Sequence, residues 1–212
     1  MVNKKFFLLV FILFLIFLIG FLQIPKFRKK LLSIEQIYKR SFIENSQLVV
    51  EGTLAYLEID KKVGYLEDGG YILVVSGIGE NYKIGDRLKI SGKIRISPIR
   101  YLVAEKIERW GELYKVTQPT PIQISEIKNQ PLGKFIQVEF KEYDATKLQE
   151  VSFENDSVYY FLPLKEGGSL VGEKKLLEPI IFKTTGVTIL FGKVKGYIER
   201  EGFLRALEIE RM

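Results

Sequence analysis

An internal repeat about 100 residues long limits the possible folds more than any other feature of the sequence. Gly92-Lys93-Ile94-Arg95 recurs as Gly192-Lys193-Val194-Lys195. Tyr101–Arg109 has its counterpart in Phe203–Arg211, so the offset grows from 100 to 102 residues. Solenoid units recur every 20 to 50 residues or so, and a longer repeat indicates two similar domains instead.

Both copies have the pattern of short β-strands separated by turn residues. In the first copy we expect strands at Leu48–Ile59, Val63–Glu67, Tyr71–Val75, Arg87–Ile96 and Tyr101–Glu108. Apolar and basic side chains alternate in the fourth of these, which places the apolar set inward and the basic set outward. In the second copy we expect the first three strands at Lys134–Tyr143, Lys147–Glu154 and Ser157–Leu162, followed by a long connection over residues 163–186.

Five strands, with a long connection from the third to the fourth, predict a small closed Greek-key barrel. The run Gly85–Ile94, the strand Tyr101–Ile107 and the run Leu132–Glu139 resemble the OB-fold of the nucleic-acid-binding type. The second copy departs from this pattern in its 163–186 connection and in having Thr185-Gly186 where the first has Gly85-Asp86.

The predicted fold class is all-β, with two small five-stranded Greek-key (OB-like) barrels in tandem. We expect the first barrel at residues 48–110 and the second at 131–212. The linker at residues 111–130 is rich in Pro and Thr and has one expected helical turn at Ser125–Asn129.

An uncharged apolar segment, Phe6–Pro25, precedes the repeat. Twenty residues in a helix span about 30 Å, the thickness of a bilayer's hydrocarbon core. Lys4 and Lys5 would also suit a cleaved signal peptide. The apolar run is longer than a signal core of about 7–15 residues, however, and no small-x-small cleavage site follows it. We therefore predict a single-pass transmembrane anchor at residues 1–25.

Residues 26–47 form a basic segment between the anchor and the first barrel. Its basic residues next to the anchor, candidates for contact with the membrane surface, are Lys26, Arg28, Lys29 and Lys30. The positive-inside rule favours a cytoplasmic body, whereas a short basic N-terminal tail is typical of a helix whose N-terminus stays inside. The side of the membrane therefore stays open. Ser33–Gln36 reads as a capping box, and the segment is either an amphipathic helix on anionic headgroups or a solvated linker.

The composition argues against most kinds of catalysis and metal binding. The chain has no histidine and no cysteine, which excludes thiolate nucleophiles, disulfides and Ser-His-Asp arrangements. A metal site would need Asp and Glu alone. We therefore predict a protein that is not an enzyme and has no cofactor, no metal and no evident small-molecule substrate.

The net charge of +6 does not describe the repeat region. Residues 1–47 hold eight basic and two acidic side chains, and residues 48–212 hold 24 of each sign. The body is therefore neutral, with little long-range attraction for phosphates.

The resemblance implies ligand binding on the outer face of strands two and three, where single-strand binders stack bases on aromatic rings beside cations. The candidate residues for nucleic-acid or partner binding are Tyr65, Tyr71, Lys89, Lys93, Arg95, Tyr159, Phe161, Lys193 and Lys195. Each tyrosine alone also fits core or interdomain packing, and Glu51, Glu105 and Glu108 are available to balance the basic strand. Two functions remain: binding of single-stranded nucleic acid near the membrane, or an envelope scaffold whose barrels bind a protein partner. Whether the second barrel binds a ligand or serves only as a spacer also stays open.

Overall fold

The computed structural model describes residues 31–97, 99–152, 157–184 and 186–212. The predicted anchor at residues 1–25 and the basic residues at 26–30 lie outside these ranges, so membrane anchoring stays a prediction. In the described part of the chain, no helix has the length and apolar character needed to cross a membrane. Residues 31–212 form one compact unit, and its structure is mostly β-strand, as predicted.

In the first half of this unit, the described residues form one short helix and six strands. They are β1 (Leu31–Leu32), α1 (Ile34–Lys39), β2 (Gln47–Glu58), β3 (Val63–Asp68), β4 (Tyr71–Ser76), β5 (Arg87–Arg95) and β6 (Tyr101–Arg109). The sheet order is β1-β2-β3-β4-β6-β5, and β5 also pairs with β2, so β2 to β6 close on themselves. β4 and β6 run parallel. The five strands predicted for this copy are confirmed, with the β3–β4 turn at Gly69 and Gly70, both at positive φ.

α1 packs on the first sheet. Ser33 caps it by accepting a hydrogen bond from the Gln36 N–H at 3.2 Å, which is one of the two hydrogen bonds of the predicted capping box. Ile34 and Ile37 are fully buried in the same core as the inward side chains of β5. The apolar side of this helix thus faces the protein interior, which differs from both a headgroup-bound helix and a solvated linker.

Within the described ranges, the second half contains eight strands, one short α-helix and two 3-10 helices. They are β7 (Thr120–Ile122), a 3-10 helix (Ile124–Asn129), β8 (Phe135–Asp144), β9 (Gln149–Ser152), β10 (Val158–Pro163), β11 (Ser169–Glu173), α2 (Lys174–Leu177), a second 3-10 helix (Glu178–Ile180), β12 (Ile181–Thr184), β13 (Val187–Arg200) and β14 (Phe203–Glu210). The sheet order is β7-β8-β13-β14-β11-β10-β9, with β12 paired to β13. The helical turn expected at Ser125–Asn129 is confirmed.

The strand assignment of the second copy needs a correction. β11 runs parallel to β14, as β4 does to β6, so β11 is the third strand of this copy. The sequence prediction had placed β11 inside a connection and had taken β10, which is the second strand, for the third. β8 pairs with β13, and β9 pairs with β10. In the first copy a single strand, β2, makes both corresponding pairings, with β5 and β3. β8 and β9 together therefore form a divided first strand. The overlooked signal is the turn at Gly167 and Gly168, both at positive φ, which matches Gly69-Gly70.

The two sheets pack against each other through a shared buried cluster. Its buried members are Ala55, Tyr65, Ile72 and Val74 from the first sheet and Phe135 and Tyr197 from the second. Backbone hydrogen bonds also cross the contact, from the Ile72 N–H to the Gly133 carbonyl at 2.7 Å and from the Phe135 N–H to the Gly70 carbonyl at 2.9 Å. Gly133 has φ +76, and a Cβ there would lie 2.1 Å from the Tyr38 ring. Only glycine therefore fits this crossing point.

Candidate functional site

The outer face of β3 and β4, where the resemblance placed a ligand, is covered by the second sheet. Tyr65 is only 5% exposed, and its ring centroid lies 6.1 Å from that of Tyr197. Its hydroxyl donates to the Glu58 carboxylate. Burial, together with the neighbouring Glu58 charge, raises the pKa of Tyr65. Tyr65 is therefore a packing residue here, with almost no ring surface for a base.

Tyr71 also connects parts of the structure. Its hydroxyl donates to Glu35 Oε1 at 3.2 Å, and the Lys134 Nζ lies 4.9 Å from its ring centroid. Burial and the hydrogen bond to Glu35 raise the pKa of Tyr71. Since Glu35 belongs to α1 and Lys134 precedes β8, Tyr71 lies where the helix, the first sheet and the second sheet meet.

The predicted basic residues lie on the outer sides of β5 and β13, beside glutamates of neighbouring strands and of the turn before β2. The ion pairs are Lys89–Glu51 at 3.1 Å, Lys93–Glu105 at 3.4 Å, Arg95–Glu44 at 3.4 Å and Lys195–Glu208 at 2.8 Å. Lys193 lies in register between Glu139 and Glu210. Such exposed pairs contribute little to stability, but they neutralise the local charge. The basic strands therefore form no positive groove.

The outer face of the second sheet is only partly covered at β10, β11 and β14, where the outward residues Tyr159, Phe161 and Phe203 are partly exposed. Tyr160 and Leu162 are buried in the core, so strand alternation turns Tyr159 and Phe161 outward. Phe203 on β14 lies beside them, with its ring centroid 6.0 Å from that of Phe161. We call these three partly exposed rings, with Arg200 and Arg205, the outer aromatic face.

The two arginines of this face stack on its rings. The Arg205 guanidinium carbon lies 4.4 Å from the Tyr159 ring centroid, and that of Arg200 lies 4.4 Å from the Phe203 ring centroid. Burial lowers the pKa of Arg205, but Glu199 and Tyr159 outweigh it, so the pKa is raised and the guanidinium is charged.

Sequence reasoning missed Arg200, Phe203 and Arg205. The signal available was the alternation of Phe203 and Arg205 with the buried Leu204. Rings and planar cations that share one surface can stack bases and contact phosphates.

A groove runs between the two sheets next to Arg205. It encloses a cavity of about 520 Å³. We call it the intersheet groove because residues from both halves of the unit line it, among them Tyr56, Lys61, Ile84, Arg205 and Leu207. Lys61 forms an ion pair with Glu173 across it, and the Tyr56 hydroxyl donates to Glu208 at 2.8 Å. Despite these acids, the described ranges hold no group of three carboxylates suited to a metal ion.

The two carboxylates at this contact are held ionised. Burial raises the pKa of Glu173, but Lys61 and Lys175 outweigh it, so the net pKa is lowered. Burial likewise raises the pKa of Glu208, and Lys195 and Tyr56 outweigh it. Both carboxylates are therefore charged at neutral pH. In this form Glu173 attracts Lys61 of the first sheet, and Glu208 accepts the hydrogen bond from Tyr56 of the first sheet.

Neither a protein-family model nor a curated protein matches this sequence. Among solved structures, the chain is similar to the hypothetical protein ygiW from E. coli, with 11% identity over 38% of this chain and 90% of that one, at a TM-score of 0.33. It is similar to a murine DNA-binding protein bound with double-stranded DNA, with 14% identity over 79% and 100% of the two chains, at a TM-score of 0.36. It is also similar to the tetrameric p202 HIN2, with 16% identity over 80% and 98%, at a TM-score of 0.34.

Proposed function

We propose that this chain is a non-catalytic binding protein of two OB-like barrels, and that the second barrel binds single-stranded nucleic acid on its outer aromatic face. The strand pairing supports the two barrels. With β2 to β6 counted as strands one to five, the closed order is 1-2-3-5-4-1. The second sheet has the same order if β8 and β9 are the halves of its first strand. This is the connectivity of a five-stranded Greek-key barrel.

One observation carries the functional proposal: three aromatic rings and two arginines share a partly exposed sheet face. Each ring offers a platform for a base, which is a sequence-tolerant contact because every base has a π-face. Arg200 and Arg205 show no ion pair among the described residues, in contrast to the paired lysines of β5. The corresponding face of the first barrel is filled by Phe135 and Tyr197, so we assign binding to the second barrel.

The neutral body predicts a shallow salt dependence. Each phosphate that a protein neutralises on a single strand contributes a slope of about −0.7 in log K against log salt. If Arg200 and Arg205 are the main phosphate contacts, affinity falls about sevenfold between about 50 and 200 mM salt. A groove with six or more phosphate contacts on duplex DNA would lose about a thousandfold or more.

The test is a fluorescence anisotropy titration of labelled single-stranded DNA and RNA into residues 31–212. The fragment begins at Leu31 because α1 belongs to the core of the first barrel. We expect saturable binding at about 50 mM salt that weakens about sevenfold at 200 mM. Folded protein, shown by its β-type circular dichroism, that binds neither oligonucleotide at low salt would refute the proposal.

A protein partner is the second candidate, and the pairing of lysines with glutamates favours it. A surface neutralised in this way repels few proteins and attracts few phosphates. In this case, a partner should co-purify from membranes in mild detergent and be lost with Tyr159→Asp. If Tyr159→Asp is folded and retains the same partner, the outer aromatic face is not the contact.

We also propose that residues 1–25 anchor the barrels in a membrane, with Lys26, Arg28, Lys29 and Lys30 at its surface. The uncharged run Phe6–Pro25 supports this. The full chain should resist extraction by alkaline carbonate, and residues 31–212 should be found free of the membrane. Protease digestion of intact and opened cells would locate the barrels, for which the charge bias favours the cytoplasmic side.

A further inference from the structure

A second exposed aromatic group lies on the first barrel, where β6 ends. Trp110 is the only tryptophan in the chain, and it is 46% exposed, while Leu113 and Tyr114 are 70% and 61% exposed. The Arg87 guanidinium carbon lies 4.2 Å from the Trp110 ring centroid and 5.7 Å from that of Tyr114. We call Arg87, Trp110, Leu113 and Tyr114 the tryptophan shelf.

Backbone hydrogen bonds hold the shelf in place. The Trp110 N–H donates to the Arg87 carbonyl at 2.7 Å, and the Tyr114 N–H donates to the Gly85 carbonyl at 2.8 Å. Gly85 has φ +94, and a Cβ there would lie 3.3 Å from the Tyr114 carbonyl oxygen. The segment after β6 therefore continues in the direction of β6 and is hydrogen-bonded to Arg87 and Gly85 at the start of β5. Its large side chains stay exposed although solvent exposure of apolar groups is unfavourable, which is typical of an interaction site.

Arg87 differs from the other outward cations of β5. Lys89, Lys93 and Arg95 each form an ion pair with a glutamate, whereas the described residues provide no such pair for Arg87. Its planar group lies instead on the Trp110 ring and leaves part of the indole exposed. A base that stacks on this exposed part would lie within reach of a cation whose charge no ion pair neutralises.

The intersheet groove lies between the outer aromatic face and the chain segment that precedes Arg87 of the shelf. Ile84, which is 60% exposed, directly precedes Gly85 and lines the groove on the first barrel. Arg205 of the outer aromatic face lines the same groove from the second barrel. The groove is therefore bordered by the outer aromatic face, and its residue Ile84 is one position from Gly85, whose carbonyl accepts a hydrogen bond from the Tyr114 N–H of the shelf.

We infer that a single nucleic-acid strand bound on the outer aromatic face continues through the intersheet groove to the tryptophan shelf, where Trp110 stacks a base and Arg87 contacts a phosphate. This inference rests on the proposed function. It adds a second set of contacts on the first barrel, away from its covered strands two and three. A strand must then be long enough to span both barrels before it reaches Trp110.

The intrinsic fluorescence of Trp110 reports on the shelf alone, because the chain has no other tryptophan. The full chain in nonionic detergent would be titrated with oligodeoxythymidylates of about 4 and about 16 nucleotides, the range of site sizes for one OB-fold. We expect both to bind and only the longer one to quench Trp110. Trp110→Ala should weaken the longer strand about fivefold or more and leave the shorter one unchanged. Trp110→Phe keeps a ring and should stay within about twofold of the native affinity.

Ile43→Ala is the matched control, because Ile43 is 82% exposed and lies outside the shelf and the groove. The inference fails, with the proposed function intact, if both oligonucleotides bind and neither quenches Trp110 or depends on it. It also fails if the short strand quenches as strongly as the long one, since no spanning is then needed. If the native chain self-associates and Trp110→Ala loses this association with native oligonucleotide affinity, the shelf is a protein contact instead. Absence of binding by both strands would overturn the proposed function itself.

Discussion

Tyr65 and Tyr159 lie on the outer side of the second strand of their respective barrels, and their environments differ. Tyr65 is covered by Tyr197 of the other barrel, whereas Tyr159 is partly exposed beneath Arg205. Substitution of each by alanine should therefore separate packing from binding. We expect Tyr65→Ala to lower stability and Tyr159→Ala to lower affinity.

The stability change follows from burial. Tyr65 is 5% exposed in the cluster between the barrels, and replacement of a buried aromatic residue by alanine costs about 3–5 kcal/mol. In a unit of this size, each kcal/mol lowers the Tm by about 2–4 °C, so we expect a fall of roughly 6–20 °C. Tyr159 already exposes part of its ring, and its loss should cost about 1–2 kcal/mol.

The binding change follows from stacking. Loss of one stacked base costs about 1–3 kcal/mol, which is about 5- to 150-fold in affinity. Tyr159→Ala should show this loss, and Tyr65→Ala should bind like the native protein at temperatures where it is folded. Tyr159→Phe keeps the ring and should bind within about twofold of native, since the base stacks on the ring and not on the hydroxyl.

Thermal unfolding by circular dichroism and anisotropy titration on the same preparations check both values. The reasoning about the barrel contact is refuted if Tyr65→Ala is no less stable than Tyr159→Ala. The reasoning about the outer aromatic face is refuted if Tyr159→Ala is folded and binds with native affinity. A native affinity in both variants would direct the search to the protein-partner alternative.

Three further outcomes are expected. The double substitution Lys89→Ala/Lys93→Ala should change oligonucleotide affinity by less than about twofold in the same titration, because glutamates already neutralise both cations. The pKa values of Glu173 and Glu208 are lowered in the folded protein. Their contribution to the free energy of unfolding is therefore complete above about pH 4.5 and is lost as the pH falls through the lowered values. Urea unfolding at pH 7 and pH 3.5 should show this loss. A fragment of residues 48–212 should be less stable than the whole compact unit by about 4 kcal/mol or more, because it lacks the two fully buried isoleucines of α1, and a lower Tm in thermal unfolding would show it.

The strands of the first barrel could be predicted because local signals coincide with them. Asp68-Gly69-Gly70 marks the β3–β4 turn, and the alternation in β5 separates the buried Leu88, Ile90 and Ile94 from outward cations. In the second barrel the signals are weaker. β11 has only five residues, and Gly172 interrupts its apolar side. The third strand was therefore missed although the Gly167-Gly168 turn preceded it.

The candidate site was predicted only in part, because burial of an outward side chain depends on contacts distant in sequence. Tyr159 and Phe161 lie on a partly exposed face, and their role in binding stays a prediction. Tyr65 fits the same local pattern, but a ring 132 residues later in the chain covers it. Pairing of Lys89 with Glu51 was foreseen as an alternative and is confirmed, since both lie directly opposite each other in the β2–β5 register. Glu108 pairs instead with Lys106 on its own strand.

The third strand of each barrel shows why only one of two similar faces remains open. On β4 the outward positions are Ile72 and Val74, both buried in the cluster between the barrels, and exposure of two large aliphatic side chains would cost several kcal/mol. On β11 the outward positions are Ser169, Val171 and Glu173; Val171 is only partly buried, and Glu173 is held by its ion pair with Lys61. The first barrel thus requires a cover, and the second barrel supplies it with Phe135 and Tyr197. The covered face of the first sheet and the partly exposed face of the second therefore differ in which side chains their third strands turn outward.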